Sequence, residues 1–308
     1  MISRQSGSVL LLALMILAII SGIATNILSG VHKDVVFSQQ LQSMSQIHQE
    51  LLGGEAWAQA WLHKEVGQQE MKAKNNLLIQ QRLETDRGEI DIRIFDQNSC
   101  FNVNLLHNAA YREVTRLRFE HLSTELGINQ DWIDVLTDWL DDNQVLSSNN
   151  GKEDDYYLNR VTPYRTADTP LPSIEEWRLI AIPPNQGQAL LPYICALPSD
   201  VSTLNINRAP DLVIKSYYAN VSDEHINQLL TLIHTEPVTD LSILFSDDSI
   251  KAANLSASGW RTDSQFFSVL VKLNYQNRPY WLYSKLQKRK GDQMISYYRS
   301  FAPIKSLN

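Results

Sequence analysis

The sequence predicts an α+β protein in which a long N-terminal helix precedes an antiparallel sheet that a helical segment interrupts. Three observations lead to this prediction. About 20 apolar residues run from Val9 to Leu28, clean alternation is found on both sides of the middle of the chain, and the middle itself has helical periodicity without sustained alternation. At 308 residues the chain is long enough for two compact units beyond the first helix.

The apolar run is long enough to cross a bilayer as one helix, and we predict a transmembrane segment over residues 8–28. Residues 1–7 contain one basic side chain, Arg4, and no basic cluster follows the helix closely. The positive-inside rule therefore places residues 1–7 in the cytoplasm and the chain after about residue 30 on the other side of the membrane.

The leader differs from an ordinary secretion signal, because it ends at Gly7 before the apolar run and no small-x-small cleavage site follows that run. Cleavage between Gly7 and Ser8 would make the helix the N-terminus of the mature chain, as in type IV pilins and the pseudopilins of type II secretion. An uncleaved signal anchor is the alternative interpretation.

Apolar residues continue at three- and four-residue spacings from Val35 to Leu62, so we expect one long helix that continues from lipid onto a domain. Gly53 and Gly54 lower its helix propensity and allow a bend. The segment Gly88–Phe95 alternates between polar and apolar residues, as a half-buried strand does.

The remaining elements follow from the same patterns. Three C-terminal strands are predicted, at residues 266–275, 279–287 and 294–301. Helical patterns are found between the two sets of strands, at residues 114–126, 131–140, 174–180 and 223–233. We therefore divide the chain beyond the membrane into a first body part at 29–104, a helical insert at 105–235 and C-terminal strands at 236–308.

A weak internal repeat marks the ends of the insert, where Asn102-Val-Asn104 and Asn205-Ile-Asn207 each precede a helical pattern. We expect the last Asn of each to cap the following helix through its side-chain oxygen, and Pro210 to occupy the first turn of the second helix. Because so short a pattern also recurs by chance, the repeat alone carries little weight.

Composition argues against one class of partner and suggests one covalent link. A formal charge of -7 and a pI near 5.5 leave no basic footprint for phosphates, so we expect no nucleic-acid partner. In an oxidising compartment the isolated pair Cys100 and Cys195 predicts one disulfide, worth about 4 to 5 kcal/mol in the loop-closure model. Two buried free thiols are the alternative, since sequence cannot show that their Cα atoms lie close enough.

Hard oxygen ligands concentrate around a loop with the sequence Ser-Ser-Asn-Asn-Gly. The candidates are Asp138, Asp141, Asn143, Glu153, Asp154 and Asp155, with Asp142 beside them. Calcium takes roughly six to eight oxygen ligands in flexible geometry, so these residues are candidate calcium ligands. Their spacing departs from an EF-hand loop, and a solvated acidic loop is the alternative.

Several motifs, in this order and spacing, carry a family resemblance. They are Arg4-Gln-Ser-Gly7, Cys100-Phe-Asn-Val-Asn104, Asp138-Trp-Leu-Asp141, Glu153-Asp-Asp-Tyr-Tyr157, Pro163-Tyr-Arg165, Ser173-Ile-Glu-Glu-Trp-Arg-Leu179 and Leu204-Asn-Ile-Asn-Arg-Ala-Pro210. Each alone is a weak signal. Together they cover nearly the whole chain, which resembles the general secretion pathway protein K family, the large minor pseudopilins of type II secretion.

The resemblance implies a type IV pilin-like fold with an inserted, calcium-binding helical domain of two SAM-like lobes. It also implies a mechanical role at the tip of a periplasmic fibre that helps to drive folded proteins through an outer-membrane channel. The implied partners are minor pseudopilins of the I, J and H types, the major pseudopilin and prepilin peptidase. The implied location is the bacterial inner membrane, single-pass, with the C-terminal domain in the periplasm.

One departure from the general pilin pattern is informative. Counted from Ser8, the fifth mature residue is Leu12, where most pilins carry Glu to neutralise a neighbour's N-terminal amine in a lipid-like environment. The same absence is typical of the K subfamily and indicates a place unlike that of shaft subunits. Ser8 is a second departure, because many pilins begin with Phe or Met, and this weakens the expectation of efficient processing.

Three other classes of function compete with this interpretation. An enzyme is not indicated, since the chain has no H-E-x-x-H, G-x-S-x-G, P-loop or C-x-x-C motif. A DNA-binding hairpin over residues 207–230 lacks the Gly-rich turn and basic residues that it would need. A signal-anchored periplasmic structural or binding protein is the strongest alternative, and an intact N-terminal Met would favour it.

Overall fold

A computed structural model describes residues 6–65 and 76–302 of the protein, so most of the predicted leader lies outside the described residues. Helix α1 runs without interruption from Ser6 to Glu65. Among the described residues it is the one helix long and apolar enough to cross a membrane. The chain divides after Leu52 into two compact units, and the second unit contains the sheet and the insert.

The elements of the second unit beyond α1 follow in chain order. The strands are β1 (Leu77–Thr85), β2 (Gly88–Asp96), β3 (Phe101–Asn102), β4 (Ile194–Cys195), β5 (Leu204–Asn205), β6 (Trp260–Arg261), β7 (Phe266–Tyr275), β8 (Arg278–Lys288) and β9 (Met294–Ser300). The α-helices are α2 (Arg112–Leu126), α3 (Asp131–Leu140), α4 (Asp154–Leu158), α5 (Pro184–Leu190), α6 (Asp211–Tyr217), α7 (Asp223–Thr235), α8 (Leu241–Leu244) and α9 (Asp248–Ala252). Two 3-10 helices are at Val103–Leu106 and Ile174–Arg178.

The main sheet is antiparallel, with the strand order β1-β2-β7-β8-β9. Strands β2, β7, β8 and β9 begin and end within one residue of the predicted strands, so the α+β prediction and the predicted C-terminal hairpins are confirmed. The sequence did not predict β1, because its residues Leu-Leu-Ile-Gln-Gln-Arg-Leu do not alternate cleanly.

The insert separates two strands that pair directly. β2 lies beside β7 from Ile90 opposite Leu273 to Asp96 opposite Phe267. The chain thus leaves the sheet after Asp96 and returns at Phe266, so the insertion is longer at both ends than the predicted 105–235. The short bridges β3 to β6, which lie between these points and pair distant segments, carry no sequence period from which the boundaries can be read.

Two lobes of the insert are closed by the same device. β3 pairs in parallel with β4, and β5 pairs in parallel with β6. In the first lobe the Asn104 side chain makes two hydrogen bonds with the backbone of Leu171. Asn104 Oδ1 accepts from Leu171 N at 2.8 Å, and Asn104 Nδ2 donates to Leu171 O at 2.9 Å. In the second lobe the Asn207 side chain makes the same two hydrogen bonds with the backbone of Val238, at 2.8 Å each. The Asn-x-Asn repeat is therefore a structural repeat.

The predicted caps are on the wrong residue of each pair. Asn102 Oδ1 accepts from Asn104 N, and Asn205 Oδ1 accepts from Asn207 N, so the first Asn makes the local turn. The second Asn is thereby free to bind a distant backbone. Pro210 stands directly before α6 and not in its first turn.

One apolar core runs through both lobes. Its largest side chains include Phe119, Trp132, Trp139, Tyr157, Trp177 and Trp260. Helices α2 and α6 are also joined by a cation–π contact, in which the guanidinium carbon of Arg118 lies 3.6 Å from the centre of the Tyr217 ring. The lobes therefore share packing, and neither has a separate core.

The outer end of α1 packs closely on the sheet at Gly54 and Glu55. Glu55 is 2% exposed and accepts hydrogen bonds from Arg299 Nε and Nη2 at 2.7 and 2.8 Å and from Ser284 Oγ at 2.6 Å. Burial alone would raise the pKa of Glu55, but the hydrogen bonds and the positive charge of Arg299 hold it below its usual value.

Lys285 ties the sheet to the first lobe. It lies on β8, is 2% exposed, and its Nζ donates to the carbonyls of Pro172 and Ala196 at 2.6 Å each. Burial lowers the pKa of Lys285 to about 7, although the charge of Glu176 opposes this shift. The insert is thus held at a second place, away from its two chain connections.

Replacing Gly54 by Ala should destabilise the protein, by about 1 to 3 kcal/mol for an overpacked core position. The reason is that an added Cβ would lie 2.6 Å from Val271 Cγ1 on the central strand. Gly53→Ala is the matched control, since a Cβ there meets nothing within 4 Å and Ala favours the helix. Thermal unfolding of the detergent-solubilised chain measures both, and equal stability of the two variants would contradict the close approach.

The stability of the protein should rise with pH above about 7 through Lys285. Above its folded pKa of about 7, Lys285 loses its proton in the fold, whereas the unfolded chain keeps it to about 10.4, so rising pH favours the folded state over this window. Below pH 7 both states are protonated and the contribution is constant. Denaturant unfolding of the wild type, Lys285→Met and the exposed control Lys290→Met between pH 6 and 9.5 measures this. Lys285→Met should flatten the rise, and parallel profiles for all three proteins would contradict it.

Candidate functional site

Three acidic side chains are buried together in the first lobe. Asp138 lies on α3, Asp141 directly follows that helix, and Glu153 directly precedes α4; their exposed fractions are 0, 7 and 5%. Burial and the charges of Asp138 and Asp141 raise the pKa of Glu153 to about 8. Burial also raises the pKa of Asp141. The fold therefore places several carboxyl groups where water solvates their charged forms poorly.

Three carboxylate oxygens of this group are buried without a hydrogen-bond partner. Asp138 Oδ1 accepts from Ser147 N at 2.8 Å, but its Oδ2 is buried without a hydrogen-bond partner, and so are both oxygens of Glu153. The loop closes tightly here, because a Cβ at Gly151 would collide with Asp138 Oδ2. Buried, unpaired carboxylate oxygens are costly, and a cation among them would remove the cost.

The other predicted ligands have different roles in the structure. Asn143 donates to Asp141 Oδ1 at 2.8 Å and accepts from Val145 N, so it supports Asp141. Asp154 Oδ1 accepts from Thr166 N and Oγ1 at 3.0 and 2.9 Å, which ties two segments of the loop together. Asp155 is exposed in the first turn of α4. The structure thus brings together Asp138, Asp141 and Glu153, and places Asn143, Asp154 and Asp155 around or outside them.

Asp168 belongs to the same cluster, although the sequence did not point to it. Its charge contributes to the raised pKa of Glu153. Its backbone N–H donates to Trp139 O at 3.2 Å, and its φ of 49° is in the left-handed region, which Asp tolerates better than most residues. Nothing in a sequence that reads Thr-Ala-Asp168-Thr-Pro signals that Asp168 lies near enough for its charge to act on Glu153.

The donor set fits a hard cation such as calcium better than a transition metal, because its ligands are carboxylates and both cysteines are bonded to each other. Within the described residues, no group of three or more His, Cys, Asp and Glu side chains is arranged so that it could hold a metal ion. A cation at Asp138, Asp141 and Glu153 would therefore draw these side chains inward and take backbone carbonyls or water as further ligands.

The disulfide lies at the root of the first lobe. Cys100 and Cys195 are bonded, with their Cα atoms 5.7 Å apart, beside the β3–β4 bridge. They pack with Leu197 and with Phe266, the first residue of β7. The predicted disulfide is confirmed, and the alternative of two free thiols is wrong.

The predicted processing site lies at the start of α1. Gly7 and Ser8 are in the helix as the structure describes it, and residues 1–5 of the leader lie outside the described residues. Leu12 is an exposed apolar side chain on the same helix. Cleavage after Gly7 stays a prediction.

An apolar N-terminal helix that continues onto an antiparallel sheet, with a disulfide-anchored helical insertion, defines a pilin-like protein. Residues 99–199, essentially the first lobe, match the family model for protein K of the type II secretion system (T2SS). Type II secretion system protein K of Pectobacterium carotovorum subsp. carotovorum is 29% identical, over 94% of this chain and 90% of the relative. The protein of the same name from Pseudomonas aeruginosa is 25% identical, over 94% and 91%.

A solved structure shows the same fold. It is a chain in the crystal structure of the GspK–GspI–GspJ complex from the enterotoxigenic Escherichia coli type 2 secretion system, with a TM-score of 0.71 at 16% identity, covering 87% of this chain and 99% of that one. Over 94% of its length the chain is thus similar to proteins named type II secretion system protein K, and this similarity supports a minor pseudopilin.

Proposed function

We propose that this minor pseudopilin caps the tip of the periplasmic pseudopilus and thereby supports protein export across the outer membrane. The observation that carries the proposal is the insertion of residues 97–265 at one end of the sheet. In a helical fibre each subunit needs neighbours above and below, and an insertion of this size obstructs stacking on one side. Such a subunit is tolerated where nothing has to pack above it.

The N-terminal helix supports the same position. Leu12 stands where a shaft subunit would carry an acid to neutralise a neighbour's amine. A subunit at the tip has fewer neighbours with amines to neutralise, so the missing acid costs little there. The apolar surface of α1 would provide the contacts with the subunits below.

The cellular location is part of the proposal. The apolar run of α1 would anchor the chain once in the inner membrane, with the C-terminal domain in the periplasm. The Cys100–Cys195 disulfide supports an oxidising compartment for that domain. The role is structural and not catalytic, and the alternative is an uncleaved, signal-anchored periplasmic structural or binding protein.

The proposed partners are the other minor pseudopilins. The matched crystal structure is described as a complex of GspK with GspI and GspJ. We infer that this chain assembles with its own I- and J-type pseudopilins, that H-type and major pseudopilins follow below them, and that prepilin peptidase processes it. No nucleic-acid partner is proposed.

Calcium is the proposed ligand of the acidic cluster in the first lobe. Asp138, Asp141 and Glu153 would hold it, with Asp168 beside them, and Asn143 and Asp154 would fix the loop. The support comes from buried carboxylate oxygens without partners and from the raised pKa of Glu153. Bound calcium would neutralise these charges and stabilise the lobe on which the capping role depends.

Chelation should lower the melting temperature of the protein. At a calcium concentration of 100 times the dissociation constant, bound metal adds about 2.7 kcal/mol of stability. The variant Asp141→Ala/Glu153→Ala should not respond to EGTA, while Asp155→Asn, an exposed neighbour outside the cluster, should respond like the wild type. A wild-type melting curve unchanged by EGTA would reduce the cluster to an acidic loop without metal.

Mature protein extracted from membranes should begin with N-methylated Ser8. Because the predicted cut follows Gly7, which has no side chain, the bulky Gly7→Phe should block cleavage and leave Met1 in place, whereas Ser3→Ala in the leader should be processed normally. Intact-mass and N-terminal peptide mass spectrometry measure this. Finding Met1 on wild-type protein would support the uncleaved anchor instead.

Tagged protein should be found at one end of pseudopili, and its periplasmic part should co-purify with the I- and J-type pseudopilins. Deleting the chain should abolish secretion.

The role of the insert is tested by replacing it with a short Gly linker. Gln97 N donates to Phe266 O at 2.9 Å, so such a linker can join the two residues while β2 stays paired with β7. That variant should enter the shaft, as immunogold labelling would show. If immunogold labelling found the tagged wild-type protein along the shaft, the capping proposal would be wrong, but the similarity to protein K would be unaffected.

A further inference from the structure

Charge is divided unevenly between the insert and the strands that follow it. Residues 97–265 contain 23 Asp and Glu against 11 Lys and Arg. Residues 266–308 contain eight Lys and Arg against a single acid, Asp292. Since the whole chain has a formal charge of -7, solubility does not require this local excess of positive charge.

Several of these cations are used inside the fold. Lys285 binds two carbonyls of the first lobe, and Arg299 binds Glu55. Lys272 lies over the Trp281 ring, with its Nζ 4.9 Å from the ring centre. Arg289 and Lys290, at the tip of the β8–β9 hairpin, have no such role and are exposed.

The end of α1 adds two further basic residues at this tip. His63 and Lys64 are in the last turn of the helix, and His63 Nδ1 lies 3.1 Å from Asp292 O in the hairpin. We call His63, Lys64, Lys288, Arg289 and Lys290 the basic corner. Among the described residues Lys288 pairs with Asp292, whereas Lys64, Arg289 and Lys290 form no ion pair.

The hairpin tip is held in one conformation. Arg289 N donates to Gln293 O, and Lys288 Nζ pairs with Asp292 Oδ1, both at 2.8 Å. Gly291 and Asp292 have φ values of 78 and 59° and make the turn. A preorganised surface loses little conformational entropy when a partner binds. The helix dipole accounts for His63 and Lys64, but it does not account for cations on a hairpin.

We propose that the basic corner is a docking surface for an acidic surface of another protein of the secretion machinery, a role that rests on the proposed function. A membrane surface fits less well, because lipid-binding clusters combine about four to eight available basic residues. In the basic corner Lys288 already pairs with Asp292 and His63 lies against Asp292 O, so in the part of the chain that the structure describes only three cations of the corner are left to bind a partner. The acidic insert joins the sheet at the same end, where Lys288 N donates to Gln265 O. Its charge would repel an acidic partner from one side and so orient it on the corner.

Binding is tested with a fluorescent octaglutamate peptide and the full chain in detergent. Wild type should bind in a salt-dependent way, and Arg289→Glu should weaken binding severalfold, with at least a tenfold loss for Arg289→Glu/Lys290→Glu. Arg278→Glu, an exposed site at the opposite hairpin of the same sheet, should bind like the wild type. Equal binding by all variants, or tighter binding of a short-chain phosphatidylglycerol added to the same detergent than of the peptide, would overturn the proposal.

Function is tested in cells that lack the chromosomal copy. Arg289→Glu/Lys290→Glu should reduce secretion at least severalfold while still co-purifying with the I- and J-type pseudopilins, and Arg289→Lys should secrete normally. Normal secretion by the double variant would overturn the docking role and leave the capping proposal intact. If the wild-type chain itself failed to restore secretion, the capping proposal would fall, and the peptide measurement would still decide docking.

Discussion

The pairing of β2 with β7 is the constraint on which the rest of this structure depends. These two strands lie in the middle of the sheet, yet the whole insert lies between them in the chain. Asn98 closes the junction: its Oδ1 accepts from Gln265 N and Phe266 N at 2.9 Å each, and its Nδ2 donates to Thr203 O. One amide thus joins the exit from the sheet, the return to it and the connection between the lobes.

A buried acid completes this junction. Asp96 Oδ1 accepts from Asn98 N at 2.8 Å, and Asp96 Oδ2 accepts from Ser264 Oγ at 2.6 Å. Burial raises the pKa of Asp96 to about 6, although Ser264 and the nearby charge of Arg208 favour the carboxylate. The junction and the acidic cluster differ in this respect: at the junction most polar atoms have partners, and in the cluster several carboxylate oxygens do not. That contrast separates a structural network from a candidate ligand site.

The sequence predicted the elements that carry a strong local period. Strands β2, β7, β8 and β9 and helices α2, α3 and α7 followed from alternation or helical spacing alone. The insert boundaries did not, because bridges of two residues have no period and depend on partners far along the chain. For the same reason composition located the acidic loop, whereas the inclusion of Asp168 and the outward position of Asp155 depend on how the loop folds back.

The separation of β2 from β7 also fixes an order in time. Because the chain is made from its N-terminus onward, β2 emerges first, then both lobes, and only then the strands that complete the sheet. Within the insert, Cys195 follows Cys100 by 95 residues, so the first lobe can close and oxidise while β7 has not yet emerged. Until then β2 has an unpaired edge toward its missing neighbour, and such edges invite mispairing. Maturation of this subunit is therefore most exposed to aggregation just before its last strands arrive.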